Sequence, residues 1–462
     1  MQITLTFTAE QHCQLSSHLF PGDGLEAAAL VLCGRAVSET GHRLLAHKIV
    51  LIPHDACERS EDRVTWPTSF LIPMLEQAVK RGMAILKIHS HPGGLTTFSA
   101  VDDRSDEELF PTVHAVIDDG QPHASAVMLP NGSIFGRCHL DNGDCVPINC
   151  INLIGDDLIF WHSSDTQSQV PEFARRHAQV FGKGTFRILR QLSIAVIGCS
   201  GTGSIVIEQL ARLGVGRLVL VDPDLVEEKN LNRIVNSVVA NIGQSKTEVL
   251  SAFIDRLGLG TVAQSFPVAL SDLSALRAVA CCDIVIGCMD SIDGRDLLNR
   301  IATFYLQPYF DVGIRLDADG EGGIEQICGS VHYVRPGGSS LKSRGVYTAE
   351  QARAAGLRRT DPASYKDEVK RGYIRGIEEE RPAVISVNMI YAGLLVTELL
   401  ARLHPYRLDA NREFAAQTIS LSIGVWQRSE HCDADTALAR YLGRGNMNPP
   451  LDQPYLDVKG GL

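Results

Sequence analysis

The feature that most constrains the fold of this 462-residue chain is an apolar run, Leu192-Ser193-Ile194-Ala195-Val196-Ile197, that passes directly into Gly198-Cys199-Ser200-Gly201-Thr202-Gly203. Helical apolar spacing follows from Ile205 to Leu213. Strand, glycine turn and helix in that order belong to a parallel α/β sheet, since beyond this point the chain keeps alternating strand with helix. The same order lets backbone N–H groups at Gly198, Gly201 and Gly203 approach a phosphate at a helix N-terminus. The loop alone serves NAD as well as ATP. Asp222, closing the next strand Arg217–Val221, suits a ribose hydroxyl of either nucleotide.

The residues after Asp222 separate the two. Asn230-Leu231-Asn232-Arg233 and Gly243-Gln244-Ser245-Lys246 supply two fixed cations, Arg233 and Lys246, where a dehydrogenase has no triphosphate to neutralise. A third buried strand, Cys282 to Asp290, ends in a carboxylate at the sheet edge where ligands bind, an oxygen ligand suited to Mg²⁺ beside phosphates. ATP with Mg²⁺ is the expected pair.

A different chemistry is written upstream. His89-Ser90-His91, then Ser99 and Asp102, offers two imidazoles and one carboxylate, the donor set a catalytic Zn²⁺ uses when its fourth position is left to water. Met83–Ile88 reads as a buried strand, so His89 and His91 project to one face at its end. Ser99 reads as the N-cap of a helix whose first turn aims Asp102 back at them. Hydrolysis also needs a base to move the proton of the attacking water, and Glu26, opening the apolar run from Ala27 to Gly34, is the carboxylate in place for it.

This N-terminal pattern resembles the JAMM (MPN⁺) metalloprotease motif of deubiquitinating enzymes. The resemblance implies His89, His91 and Asp102 as zinc ligands, Glu26 as general acid/base, Ser99 as a donor to the tetrahedral oxyanion, and cleavage after the C-terminal glycine of a ubiquitin-like protein. The later segment resembles the ThiF/MoeB-type adenylation domain shared with ubiquitin-activating enzymes. That resemblance implies Asp222 on the ribose, Asn230, Arg233 and Lys246 on the phosphates, and Asp290 on Mg²⁺. Arg175, in Phe173-Ala174-Arg175-Arg176, would be an arginine reaching the ATP of a partner subunit, which requires a homodimer.

Where many relatives carry Cys-x-x-Cys, this chain has Ser340-Leu341-Lys342-Ser343. No cysteine occurs between Cys328 and Cys432, so the polar stretch from Ser339 to Glu380 offers only hydroxyls. A covalent step there is left to an oxygen ester at Ser340 or Ser343, or else the adenylate is released directly to a conjugating enzyme.

The expected architecture is therefore α/β throughout. Residues 1–160 form a JAMM metalloprotease domain and 161–171 a polar linker; 172–432 form a Rossmann-like adenylation domain and 433–462 a C-terminal tail outside both. Met1–Phe7 alternates like an edge strand, Pro382–Leu403 like a long helix, and Thr418–Trp426 like one late strand. The 12 cysteines are scattered without framework spacing, which points to a reducing, cytoplasmic setting. The net charge of −11 argues against nucleic acid as the main ligand, and the apolar runs read as too short to span a bilayer. The expected function is a bifunctional enzyme of a bacterial ubiquitin-like conjugation pathway. The alternative is processing and activation of a sulfur-carrier protein for cofactor synthesis.

Overall fold

The computed structural model describes residues 2–38, 41–163, 169–371 and 382–456. It divides into two compact units: Met1–Thr166 with Thr303–Leu306 and Arg440–Leu462, and Gln167–Ala302 with Gln307–Ala439.

In the first unit, among the described residues, the main sheet has nine strands. They belong to the series β1 (Gln2–Thr8), β2 (Ala28–Val37), β3 (Gly41–Leu51), β4 (Glu58–Arg59), β5 (Val64–Thr65), β6 (Ala84–Ser90), β7 (His123–Met128), β8 (Ile134–His139), β9 (Cys145–Pro147), β10 (Cys150–Ile154) and β11 (Leu158–His162). The order is β11-β10-β1-β3-β2-β6-β7-β8-β9, with β4 and β5 forming a separate ribbon. Strand β2 shows why the sheet is covered on both faces. Ala29, Val31 and Cys33 join one core with Leu15 and Leu19 of α1 (Ala9–Leu19). Ala28, Leu30 and Leu32 join another with Met74 and Ala78 of α2 (Ile72–Arg81) and Phe110 and Val113 of α3 (Ala100–Ile117). Alternation with period two sends successive side chains to opposite helical layers.

Strand β1 is not an edge strand. It pairs with β10 on one side and β3 on the other and is buried from Ile3 to Thr8. Its Thr-rich alternation imitates a half-solvated strand, but Thr4, Thr6 and Thr8 are inside.

The second unit holds α4 (Arg175–Gln191), β12 (Ser193–Ile197), α5 (Gly201–Leu213), β13 (Arg217–Val221), α6 (Lys246–Leu257), β14 (Val262–Phe266), α7 (Leu273–Ala280), β15 (Ile284–Gly287) and α8 (Ile292–Phe304). Then come β16 (Tyr309–Ala318), β17 (Ile324–Val334), α9 (Ala349–Thr360), α10 (Pro362–Lys370), α11 (Ile385–Leu403), β18 (Ala416–Ser420) and β19 (Val425–Ser429). Strands β14-β13-β12-β15-β16 run parallel, and β17-β18-β19 continue the sheet antiparallel. The single strand read over Thr418–Trp426 is a hairpin, turned at Gly424 with φ +67°. The polar stretch after Ser339 carries α9 and α10; its residues 372–381 lie outside the described ones.

By length and composition α11 could cross a membrane, yet 61% of its apolar window is buried. Its Glu398 and Arg402 are fully buried and paired at 2.7 Å, with Arg402 stacked 4.0 Å above the Tyr333 ring. It is a core helix lying on α5, β16 and β17.

The boundaries also differ from the linear reading. Strand β11 runs through His162, inside the stretch read as a linker, whose residues 164–168 lie outside the described ones. The segment from Arg440, read as a tail outside both domains, is counted with the first unit. Asn446 N donates to Arg35 O at 2.7 Å, and His47 Nδ1 meets Leu442 O at 2.7 Å. Backbone lies directly on backbone here: a Cβ at Gly34 would sit 2.3 Å from Gly443 O. Gly34→Ala should therefore destabilise the first unit by about 1–3 kcal/mol, as overpacking does. Limited proteolysis should then cut within Arg440–Leu456 in the variant and spare the wild type.

Candidate functional site

The first site lies where β6 ends. Ala28 of β2 pairs with His89 of β6, and just beyond them Ala27 N donates to Ser90 Oγ at 3.0 Å while Ser90 N donates to Ala27 O at 3.0 Å. Ser90, the residue between the two histidines, thus locks the Glu26 segment beside them. Glu26 is held from its other side by Arg59, whose Nε donates to Glu26 O at 2.7 Å. Neither Ser90 nor Arg59 was picked out from the sequence. A buried serine inside a strand carries no signal until the neighbouring strand is known.

Asp102 arrives from α3. Ser99 caps that helix: Asp102 N donates to Ser99 Oγ at 3.2 Å, and Ser99 N donates to Asp102 Oδ2 at 2.7 Å. The acceptors then converge. His89 Nε2 and His91 Nε2 are 3.1 Å apart, Asp102 Oδ1 is 2.9 Å from His89 Nε2, and Asp102 Oδ2 is 3.3 Å from His91 Nε2. Donors at Zn–N and Zn–O distances on a tetrahedron are about 3.3 Å from one another, so the three fit a zinc ion. Glu26 Oε1 is 3.9 Å from His91 Nε2, and the ligand atoms of Glu26, His89 and His91 lie within 4.8 Å of one another. The tighter set is His89, His91 and Asp102, with Glu26 beside it.

The electrostatics agree with that division. Burial raises the Glu26 carboxyl to about 7, the range of a group that exchanges protons. Burial lowers His89, favouring the neutral imidazole that binds metal. His91 feels the same burial, but its hydrogen bonds with Asp102 and Leu95 O bring it above its ordinary value. Burial would raise Asp102 too; the two histidines and the Ser99 amide override it and hold the carboxyl far below the usual carboxylate range. His91 Nδ1 lies 2.8 Å from Leu95 O, which leaves Nε2 as the coordinating atom.

One helical turn below Asp102 and two strand residues before His89, Asp106 pairs with Lys87. Both are buried, and Ser125 Oγ and Arg137 complete the carboxylate's shell at 2.6 Å each. Removing one partner of a buried pair leaves an uncompensated charge. Asp106→Leu should cost about 3–5 kcal/mol in chemical denaturation, and adding Lys87→Met should restore part of that loss.

The second site lies at the carboxyl ends of β12, β13 and β15. Gly198 has φ +92°, and a Cβ at Gly203 would lie 1.8 Å from Gly198 O, so the turn closes only with glycine. Asp222 Oδ2 accepts from Cys199 N at 2.6 Å and Oδ1 from Asp224 N at 2.9 Å, which aims the carboxylate across the turn. Burial raises its carboxyl, with Lys246 opposing. Lys246 is buried and donates to Asp224 Oδ2 at 2.8 Å, a partner the sequence reading did not single out. Asn230 is buried, its Oδ1 accepting from Glu227 N at 3.1 Å. The Arg233 stem lies against Gly201, 3.2 Å from where a Cβ would stand. Asp290 is exposed just past β15. Arg175 is at the surface, in an ion pair with Glu172 at 2.9 Å.

Ser340 and Ser343 are not free loop hydroxyls. Ser340 is buried, and its Oγ donates to Asp435 Oδ2 at 2.6 Å; Ser340 N donates to Ser343 Oγ at 3.0 Å. Folding also brings Cys432 to this turn, its Sγ 3.9 Å from Ser343 O and exposed. A search confined to the sequence between Cys328 and Cys432 could not place that thiol there.

Residues 173–434 match the ThiF family model. The chain belongs to the ThiF family. Ahead of this ThiF domain, residues 8–131 match the model of prokaryotic homologs of the JAB domain, so the mixed α/β architecture is a JAB-like domain followed by a ThiF domain. The adenylyltransferase and sulfurtransferase UBA4 of Meyerozyma guilliermondii is 33% identical over 129 residues, covering 28% of this chain and 30% of that protein. The adenylyltransferase and sulfurtransferase MOCS3 of Mus musculus is 39% identical over 111 residues, covering 24% of each. The chain thus matches less than a third of the length of these curated relatives. Among solved structures, E. coli MccB with ATP aligns with a TM-score of 0.44 at 17% identity, covering 59% of this chain and 75% of that one.

Proposed function

We propose that the chain is a bifunctional enzyme of a bacterial ubiquitin-like conjugation pathway: its ThiF domain activates the C-terminal glycine of a ubiquitin-like protein, and its JAB-like domain hydrolyses the bonds that glycine makes. The observation that carries this reading is that one chain holds two sites of opposite electrical character. Carboxylate and imidazole atoms meet at 2.9–3.3 Å in the first, as a cation requires. A glycine turn and a helix N-terminus form the second, with the Arg233 stem against Gly201 and Lys246 Nζ 3.9 Å from Asp222 Oδ1, and N–H groups with nearby cations suit a polyanion.

When bound, zinc would polarise the scissile carbonyl and acidify a water, and Mg²⁺ would neutralise phosphate charge. His89, His91 and Asp102 would hold the zinc. Glu26 takes the proton of the attacking water and returns it to the leaving amine. Ser99 Oγ accepts from Asp102 N, which leaves its O–H to donate to the oxyanion.

In the ThiF domain a carboxylate oxygen of the terminal glycine attacks the α-phosphorus of ATP, the bond to the β-phosphate oxygen breaks, and pyrophosphate departs from the acyl-adenylate. Gly198, Gly201 and Gly203 admit the phosphates, Asp222 holds the ribose, and Asn230, Arg233 and Lys246 neutralise the chain of phosphates. Lys246 exchanges Asp224 for phosphate as ATP binds. Asp290 would hold Mg²⁺, and Arg175 of a second copy would complete the site in a homodimer. The acyl group then leaves by one of two routes. Either Ser340 Oγ attacks the carbonyl with its proton passing to Asp435 and AMP departing, or Ser343 Oγ beside it does so with its proton passing to solvent, or the adenylate is handed directly to a conjugating enzyme.

The names of the UBA4 and MOCS3 relatives favour a second reading, activation of a sulfur-carrier protein. Copurification with a cysteine desulfurase would support that reading, and copurification with a conjugating-enzyme fold the first.

For the JAB-like domain, Glu26→Gln should keep about one zinc per chain and lose hydrolysis at least a hundredfold, whereas His89→Ala should lose both metal and activity. Metal analysis and cleavage of a ubiquitin-like fusion read this directly; retained cleavage in Glu26→Gln rules out Glu26 as the base.

For the ThiF domain, Lys246→Ala and Asp290→Ala should abolish pyrophosphate exchange and spare hydrolysis. Mixing Arg175→Ala with Asp290→Ala protein should recover part of the exchange, and no recovery counts against an arginine acting across the dimer. An adduct that resists thiol, yields to hydroxylamine and disappears in Ser340→Ala or Ser343→Ala marks the ester route. Adenylation without any adduct marks the handoff.

A further inference from the structure

The nucleotide site has a neighbour that the sequence motifs do not include. Helix α11 lies along α5, and Asn388 stands in its first turn. Its carboxamide is directed at Gly201, the first residue of α5: a Cβ built there would lie 2.3 Å from Asn388 Nδ2. Gly201 is therefore glycine for a reason beyond turn geometry. The amide occupies the space a side chain would take.

The position of that amide matters because of what surrounds it. The first N–H groups of a helix have no partner within the helix, and the N-cap residue of α5, Ser200, makes no side-chain capping bond. The Arg233 stem approaches the same Gly201 position from its other flank, 3.2 Å from the built Cβ. Helix N–H groups, the aliphatic stem of Arg233 and a primary amide thus gather around one residue, while the Arg233 guanidinium donates to Lys229 O at 2.8 Å.

Asn388 is only 5% exposed, and its carboxamide makes no hydrogen bond within the described residues. The residue is otherwise enclosed but its amide atoms are not sealed from solvent, so an amide that no protein group satisfies is open to a ligand at this turn.

We propose that Asn388 is a phosphate-binding residue of the nucleotide site, donating its Nδ2–H to a phosphate oxygen of ATP held at the N-terminus of α5. The assignment rests on the adenylation reading above and adds a donor from a helix more than 180 residues downstream of the glycine turn.

The test uses the full chain, with ATP and Mg²⁺ titrated against wild type, Asn388→Ala, Asn388→Asp and Lys246→Ala, and with adenosine as a ligand lacking phosphate. Loss of a hydrogen bond to a charged group predicts ATP affinity about 10- to 100-fold weaker in Asn388→Ala, with adenosine affinity within about twofold of wild type. Asn388→Asp should be weaker still for ATP, through repulsion, while its Tm equals or exceeds that of wild type because a carboxylate at a helix N-terminus is stabilising. These opposite signs separate ligand binding from packing. If Asn388→Ala does not fold, Asn388→Ser, whose shorter polar side chain withdraws the amide from Gly201, should weaken ATP in parallel. Unchanged ATP affinity in the Asn388 variants, or equal losses for ATP and adenosine, overturns the proposal. If Lys246→Ala loses ATP while the Asn388 variants keep it, the adenylation reading stands and the Asn388 assignment alone fails. A wild type that binds no ATP overturns both.

Discussion

The buried pair between Lys87 and Asp106 sets the distance between strand β6 and helix α3, and the meeting of His89, His91 and Asp102 in the JAB-like domain depends on that distance. Lys87 and His89 are two residues apart on one face of a strand, while Asp102 and Asp106 are four apart on one face of a helix. The ion pair and the histidine–carboxylate contacts are therefore successive rungs between the same two elements. A charge this deep is tolerated only if it is matched, so the pair admits one helix placement and rejects others. With that rung fixed, Asp102 cannot drift from the histidines, and the capping bonds with Ser99 finish its orientation.

The ThiF domain solves the same problem with backbone contact in place of buried charge. The turn after β12 closes because Gly198, Gly201 and Gly203 each stand where a Cβ would collide with a neighbour. Asp222 then takes two backbone N–H groups and is fixed across the turn. The buried cation at this turn, Lys246, is held by Asp224, an exposed carboxylate that water can satisfy when the lysine turns elsewhere. A deeply buried partner such as Asp106 would not permit that exchange. The contrast between a locked pair in one domain and a releasable pair in the other follows from burial alone.

The residues easiest to read from sequence were those whose spacing is dictated by local geometry. His89 and His91 at the end of a strand, Ser99 as a cap, and the glycine turn running into a helix each express a short-range rule, and the structure has the strand, the cap and the turn in those places. What failed was whatever depends on a neighbour distant in sequence. Strand β1 reads as an edge because alternating threonine looks half-solvated, but β10, nearly 150 residues later, covers its second side. The tail from Arg440 lacks periodicity, so nothing local shows that Gly34 makes room for Gly443. Ser90, Arg59, Asp224 and Asn388 are ordinary polar residues until the fold shows which backbone or ligand position each one faces.

Cys432 belongs with these, and it bears on the acyl transfer proposed above. The sequence places it far from Ser340 and Ser343, yet the loop after β19 returns it to their turn, where Asp435 holds Ser340 and His431 lies 2.9 Å from Arg344. Hydrogen bonds tie together here two segments separated by about ninety residues, which removes any need for a metal clip between them. It also fixes the reactivity of the groups involved. Ser340 is buried and already gives its proton to a carboxylate, so it has a base but poor access; Cys432 has access and no base within hydrogen-bond reach among the described residues. A nucleophile needs both at once, so under the ester route proposed above Ser340 must first gain access, and docking of the acyl donor is the event that supplies it.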